Sequence, residues 1–399
     1  MAWESLMAPT TDTLFTTYMI AGVQVSLDRV RAAAYLVPEA DRQQAWHILS
    51  FALNVAAAWP VTRELLLALA PKMEQAGFRE EWIPYLAKGL HAAQSVADGQ
   101  AVAECALQLG LLYRLLSRFD DAYHWTTLSV DHFVTLGDTR NQARTLNELG
   151  WLMHLRHQYH EAKSYVEQAL KLLSDDDPEK AMSYRVLGVI AIYQMAYSQA
   201  EAYHRQALAI LSKQPEDHRT AWCLQNLALA LRWQNQYEEA FLLYARAATI
   251  LERSGDISNL GILRMNLGSA YYYYGEPQQA LSHFSKAEEI AIQLQDKIQI
   301  AKISTHVGLA YLALNAFANA ESAFQQAVTT YQMLGDHGWR LNALDGLAMT
   351  YLASKEMAKA RKLLQAAITE LPLITHLPNY TYLYQTLHEH LLIAEQAEK

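Results

Sequence analysis

Arg264–Ile290 reads RMNLGSAYYYYGEPQQALSHFSKAEEI. At helical spacing it holds two short amphipathic helices and a tight turn. Leu267, Gly268 and Tyr271 stand in the first helix, and Gly275 and Pro277 mark the turn. Ala280, Phe284 and Ala287, at steps of four and three, make one stripe on the second. Gly268 and Ala280 are small where large residues would be expected, so two backbones approach closely there. A hairpin this short cannot bury its apolar stripes alone and needs copies of itself on both sides.

The copies are present. Leu267-Gly268 recurs as Leu109-Gly110, Leu149-Gly150, Leu187-Gly188, Leu227-Ala228, Val307-Gly308 and Leu347-Ala348, with 40, 38, 40, 40, 40 and 40 residues between successive second members. Ala280 recurs in phase as Ala122, Ala162, Ala200, Ala240, Ala320 and Ala360, and Ala287 as Ala169, Ala207, Ala247, Ala327 and Ala367, with Ser129 the exception. This Leu-Gly-x-x-Tyr and Ala-x-x-x-Phe-x-x-Ala pattern resembles the tetratricopeptide repeat, in a long form of about 40 residues per unit. The resemblance implies an all-α, right-handed α-solenoid of antiparallel helix pairs, with about eight units and a helical cap at each end.

Residues 61–98 hold a degenerate unit in the same phase: Leu69-Ala70 precedes Leu109-Gly110 by 40 residues, and Asp98 precedes Asp138 by 40. The units then fall near 61–98, 99–138, 139–177, 178–217, 218–256, 257–296, 297–336 and 337–378. Residues 1–60 do not fit the repeat and read as an N-terminal helical cap. Helix is expected over Thr13–Val37, broken near Gly22 with Ser26 capping Leu27–Leu36, and over Glu39–Trp59, where Trp46, Leu49, Leu53 and Ala57 share a face. Residues 379–399 read as a C-terminal capping helix that continues the phase, since Leu387 falls 40 after Leu347. Joints such as Leu136-Gly137-Asp138 and Leu334-Gly335-Asp336 offer a glycine for the left-handed position and then an aspartate N-cap. The one 38-residue step implies a shortened turn near Met195–Ser198 or in the joint before it.

Composition narrows the function. The 399 residues are 52% hydrophobic with a net charge of −9, which argues against a broad phosphate-binding face and so against nucleic acid. The acidic balance of residues 1–60 likewise argues against a DNA-binding head. Cys105 and Cys223 share a repeat position three units apart, too far for a disulfide, and read as packed thiols. The first residues lack the apolar core of a signal peptide, and no run of 18 or more uncharged apolar residues suggests a membrane span. The expectation is a cytoplasmic protein. There is no Gly-rich phosphate loop, HExxH, Gly-x-Ser-x-Gly or CxxC pair, so the reading is not an enzyme and needs no cofactor. His154, His157 and His160 straddle a helix–turn–helix junction and read as turn histidines rather than a metal site.

In tetratricopeptide proteins the first helices of successive units line a concave groove. Carried over by repeat position, the resemblance gives Arg144, Trp151, His154, Arg185, Tyr193, Trp222, Gln225, Asn226, Arg232 and Trp233 as groove residues. Further along it gives Asn266, Tyr272, Tyr273, Lys302 and His306. Aromatic surfaces, fork-shaped arginines and amides suit recognition of peptide backbone and acidic groups. Tyr272 and Tyr273 could equally pack between neighbouring units. Chaperone-binding members of the family hold a C-terminal carboxylate with five residues on three first helices. Asn266 and Lys302 match two of those, His306 stands where arginine is usual, and Gln225 and Leu229 depart. The expected function is a scaffold that engages an extended, acidic or carboxylate-ended peptide or protein segment. The alternatives are a sensor arm of a larger signalling assembly, through a looser resemblance of residues 39–110 to the repeat arms of bacterial signalling ATPases, and an enzyme of unknown class.

Overall fold

The computed structural model describes residues 11–33, 37–375, 377 and 379–397, and these contain α-helices and short 3-10 turns but no strand. In order the helices are α1 (Thr11–Ala32), α2 (Glu39–Ala52), α3 (Trp59–Gln75), α4 (Arg79–Ser95), α5 (Gly99–Leu115), α6 (Phe119–Leu136), α7 (Thr139–Leu155), α8 (Tyr159–Leu172), α9 (Pro178–Tyr193) and α10 (Tyr197–Leu211). Then come α11 (His218–Trp233), α12 (Tyr237–Ser254), α13 (Ile257–Tyr274), α14 (Pro277–Gln293), α15 (Lys297–Ala313), α16 (Phe317–Leu334), α17 (His337–Ala353), α18 (Met357–Glu370) and α19 (Tyr380–Gln396). They pack as consecutive pairs within two compact units. One unit takes the chain up to Cys223 with Arg253–Asp256; the other takes Leu224–Glu252 and the chain from Ile257 on.

The helices stop for a reason that recurs about every 20 residues. Ala97, Ser117, His157, Met195, Asn235, Gln295, Asn315 and Lys355 all adopt positive φ, as do Gly137, Gly275 and Gly335. After each, an amide reaches back to a carbonyl five residues earlier, for example Asp98 N to Ala93 O at 2.9 Å and Glu356 N to Tyr351 O at 2.8 Å. This left-handed closure satisfies the last carbonyls of one helix and reverses the chain. Aspartates then start several of the next helices: Asp98, Asp138, Asp177, Asp296 and Asp336 accept from backbone amides of the first turn.

The small-residue columns do sit at the close contacts. A Cβ on Gly268 would lie 3.1 Å from the Ala280 carbonyl and 2.6 Å from the Phe284 ring; one on Gly150 would lie 3.1 Å from the Ala162 carbonyl. Ala280, Phe284 and Ala287 are completely buried.

Two expectations need correction, and of the two places named for the short step the second holds. α1 runs unbroken through Gly22 and Ser26, and Ser26 is buried rather than capping a new helix. Gly22 lies under Ile48 of α2, whose Cδ1 is 2.7 Å from where a Cβ would stand; Leu36 lies outside the described residues. The next helix ends at Ala52, not Trp59, and Ala56–Ala58 form a 3-10 turn with Ala57 exposed. Pro60 has no amide proton to continue a helix and instead sits in the first turn of α3. The short step lies in the joint after α8: α8 stops at Leu172 and Leu173 turns extended, while the turn at Met195 closes like the others.

Candidate functional site

In the first unit, α7 and α9 are braced by buried polar contacts. Ser183 Oγ donates to Asn147 Oδ1 at 2.8 Å, and Asn147 Nδ2 donates to Glu179 Oε1 at 2.9 Å. Burial raises the Glu179 carboxyl above its ordinary range, against the pull of the Asn147 bond. The brace sets the register of Trp151, one turn beyond Asn147, and of Arg185, two residues beyond Ser183.

Arg185 extends between two indoles. Its guanidinium carbon is 4.3 Å from the Trp151 ring centre and 5.0 Å from that of Trp222. Beyond Trp151, His154 lies 5.7 Å away, and beyond His154 is Tyr193 at 4.7 Å. Beyond Trp222, His218 lies at 4.7 Å. His154 is buried, and burial foremost, then the charges of His157 and Arg185, pushes its imidazole down to about 4. Buried polar atoms in this run lack hydrogen-bond partners among the described residues: His154 Nδ1, Arg185 Nε and Trp222 Nε1. Tyr193 is exposed.

Arg144 behaves differently. Its Nη1 donates to Glu104 Oε1 at 3.1 Å, so its charge is answered within the unit. Arg140, Asn141 and Arg144 line a 370 Å³ cavity with Glu179, Asp217, His218 and Arg219.

The second unit holds a related arrangement. Arg232 is only 6% exposed, with its guanidinium carbon 4.4 Å from the Trp233 ring centre and 4.9 Å from that of Tyr273. Its Nη1 reaches Ser269 Oγ at 3.5 Å, and its Nε is buried without a partner among the described residues. Trp233 and Tyr273, at one repeat position, bring their rings to 5.9 Å and remain exposed. Tyr272 meets the edge of Tyr273 at 5.1 Å. Asn226 and Asn266 are half-buried, and among the described residues their side-chain amides make no hydrogen bond. Gln225 is buried, with Oε1 unpartnered among the described residues. His306 stacks on Phe284 at 5.6 Å, and burial first, then Arg232 and Lys302, pushes it down to about 4. Burial lowers Lys302, opposed by Asp296 and Asp336.

Contacts thus join Trp151, His154, Arg185, Tyr193 and Trp222 in the first unit, and Arg232, Trp233, Tyr272 and Tyr273 in the second. The histidines at the α7–α8 turn diverge, His154 buried and His157 and His160 exposed. Cys105 and Cys223 are free and buried, and burial pushes both thiols up to about 12. Sequence reading missed Ser269, and it missed Glu104 although Glu104 and Arg144 occupy one repeat position 40 residues apart. Shifting every charged residue by one repeat would have found that pair.

A sequence profile of the tetratricopeptide repeat matches residues 102–175, 179–253, 220–293 and 299–369. The chain belongs to the tetratricopeptide repeat family, whose fold is consistent with a protein–protein interaction scaffold. No curated protein matches it. Among solved structures it is similar to a signal transduction ATPase with numerous domains that carries a tetratricopeptide repeat sensor, from Pyrococcus horikoshii, with TM-score 0.60 and 14% identity over 84% of this chain. It covers 52% of that protein, so it spans about half its length. It is also similar to a Rap protein complexed with competence and sporulation factor, with TM-score 0.54 and 14% identity, covering 84% of this chain and 99% of that one. Aspartyl phosphate phosphatase F from Bacillus subtilis gives TM-score 0.52 at 14% identity, over 98% of this chain and 96% of that one. At these identities the likeness is one of fold. No described helix is long and apolar enough to cross a membrane.

Proposed function

We propose that this chain is a non-enzymatic scaffold that engages an extended peptide or protein segment on the faces of its first helices. The observation that carries the reading is the pairing of Asn226 with Asn266. They hold one repeat position, and their half-buried amides are unengaged among the described residues. An amide offers both a donor and an acceptor, which suits the backbone of an extended segment whatever its side chains. Trp233 and Tyr273, two turns further along the same two helices, supply an apolar wall. Arg185 and Arg232, with no carboxylate within salt-bridge distance among the described residues, favour an acidic or carboxylate-ended partner.

The test compares native-lysate capture by the wild-type chain and by an Asn226→Ala/Asn266→Ala variant, with melting temperature measured on both. A protein held by the wild type should be weakened by about 1–3 kcal/mol in the variant, with melting barely moved. Unchanged affinity would return the amides to a packing role. On this reading the helical segments within 1–60 and 379–399 cap the repeats they adjoin. A second reading, a sensor or regulatory arm of a larger signalling assembly, is favoured by the likeness to the ATPase with a tetratricopeptide repeat sensor. Recovery of an ATPase subunit in the same capture would select it.

A further inference from the structure

We infer that the Trp151–Arg185–Trp222 stack of the first unit is a seat for one carboxylate of the bound segment. The inference rests on the segment-binding reading above and deepens its use of Arg185, without drawing on the Asn226 and Asn266 amides of the other unit.

Three properties of the stack define its ligand. The first is charge. Arg185 carries a permanent cation, yet among the described residues no carboxylate lies within 4 Å of it. The acids whose charges reach it are engaged elsewhere: Glu148 with Arg114 at 3.5 Å, and Glu179 with Asn147. A partly desolvated cation without a counter-ion is costly, and a ligand that supplies the counter-ion recovers that cost.

The second is shape. Indoles at 4.3 and 5.0 Å lie over the guanidinium, so the direction left for a strong hydrogen bond is the in-plane edge. A planar, two-oxygen acceptor fits that fork in the bidentate manner. The stack also removes rotamer freedom from Arg185 before the ligand arrives, so less entropy is lost on binding.

The third is donor character. Arg185 Nε and Trp222 Nε1 are both buried N–H groups without partners among the described residues, and neither can accept. His154 is held neutral beside Trp151 and adds no second positive charge. One cation between apolar walls balances one negative charge, which favours the side chain of aspartate or glutamate over a dianionic phosphoryl group. Asn266, Lys302 and His306 belong to the other unit and take no part in the seat.

The experiment uses the full-length chain with nitrogen-15 label. The probes are the capped tripeptide acetyl-Ala-Glu-Ala-amide and its glutamine and phosphoserine counterparts, at matched ionic strength. The Glu peptide should shift the indole N–H signals of Trp151 and Trp222 and the Arg185 Nε–H signal saturably, and the Gln peptide should not. Arg185→Gln should abolish the response. Arg185→Lys, which keeps the charge but loses the flat fork, should weaken it about tenfold. Melting curves establish that each variant is folded. If Arg185→Gln does not fold, Arg185→Lys and Trp222→Phe carry the test. An equal response to the Gln peptide, or an unaltered response in a folded Arg185 variant, overturns the proposal. A tighter response to phosphoserine overturns the carboxylate assignment in favour of a phosphoryl group. Asn226→Ala/Asn266→Ala should leave these shifts intact. Intact shifts with unchanged capture by that double variant would sink the segment reading alone, and lost capture without Glu-dependent shifts would sink the seat alone.

Discussion

Arg144 donates to Glu104, the residue that holds its own repeat position one unit earlier, across 3.1 Å. Both side chains are largely screened from solvent, at 34% and 17% exposure, but neither is fully buried. The pair joins α5 to α7 and answers a charge that Arg185 and Arg232 leave open. A double-mutant cycle with alanine at both positions should therefore return a coupling of about 0.2–1 kcal/mol, the range for partly exposed pairs. Arg144→Ala should lower melting temperature slightly and weaken a bound acidic segment less than Arg185→Gln does. An equal or larger loss of affinity would make Arg144 a direct contact.

Gly268 tests the packing columns. A Cβ there already meets the Ala280 carbonyl at 3.1 Å, and backbone yields less readily than a side chain. Gly268→Leu should cost about 1–3 kcal/mol or more through overpacking, read as a lower denaturant midpoint. A variant as stable as the wild type would mean that α13 and α14 can part without penalty.

These columns were legible in the sequence because Leu-Gly and Ala-x-x-x-Phe-x-x-Ala repeat with one phase, and packing permits only small residues where backbones cross. The aspartate caps were legible for the same kind of reason. The turns at Ala97, Ser117, His157, Met195, Gln295 and Lys355 were not, since none of these residues prefers positive φ. There the helix pair on either side imposes the reversal, and the residue bears the strain. The faces of the candidate residues could be read from repeat position, but the stacking of Arg185 could not. It depends on rotamers of side chains from α7, α9 and α11, which no spacing encodes.

His204 stands in the column filled by Phe284 and Phe324, completely buried under Gly188, and neither ring nitrogen has a partner among the described residues. Burial, helped by Arg185, pushes it from 6.5 down to about 3. The unfolded chain therefore binds this proton first, and stability present above pH 6.5 is lost as pH falls toward 3. His204→Phe should raise stability near neutrality by about 1–3 kcal/mol, the cost of orphaned polar atoms, and flatten the acid side of the stability curve. A lower melting temperature at pH 7, or an unchanged acid limb, would show that the imidazole is satisfied in solution.

His390 of α19 has the opposite sign. Its Nδ1 lies 2.7 Å from Oδ1 of Asp345, a buried carboxylate on α17, and that bond raises the imidazole above 6.5. The stabilisation is full below 6.5 and is lost as pH rises through the folded value. Hydrogen exchange in α19, taken relative to the intrinsic amide rate, should therefore speed up as pH rises above 6.5 and through the folded value, and this excess should vanish in Asp345→Asn. Parallel profiles in the two proteins would remove the pair from the attachment of α19.

The attachment of α19 can also be tested by removing it. Leu383 and Leu387 are fully buried in one cluster with Leu341, Leu364, Leu371 and Ile374, so α19 covers an apolar face that α17 and α18 cannot cover themselves. Each of those two leucines contributes about 1.5–3 kcal/mol by burial. A repeat array transmits such a loss mainly to its nearest neighbours. Deleting residues 375–399 should therefore strip exchange protection from α17 and α18 first, and lower solubility, while α13 and α14 keep theirs. Protection falling equally in all helices of the second unit would mean that the unit unfolds as one block, and that its repeats do not fray from the end inward.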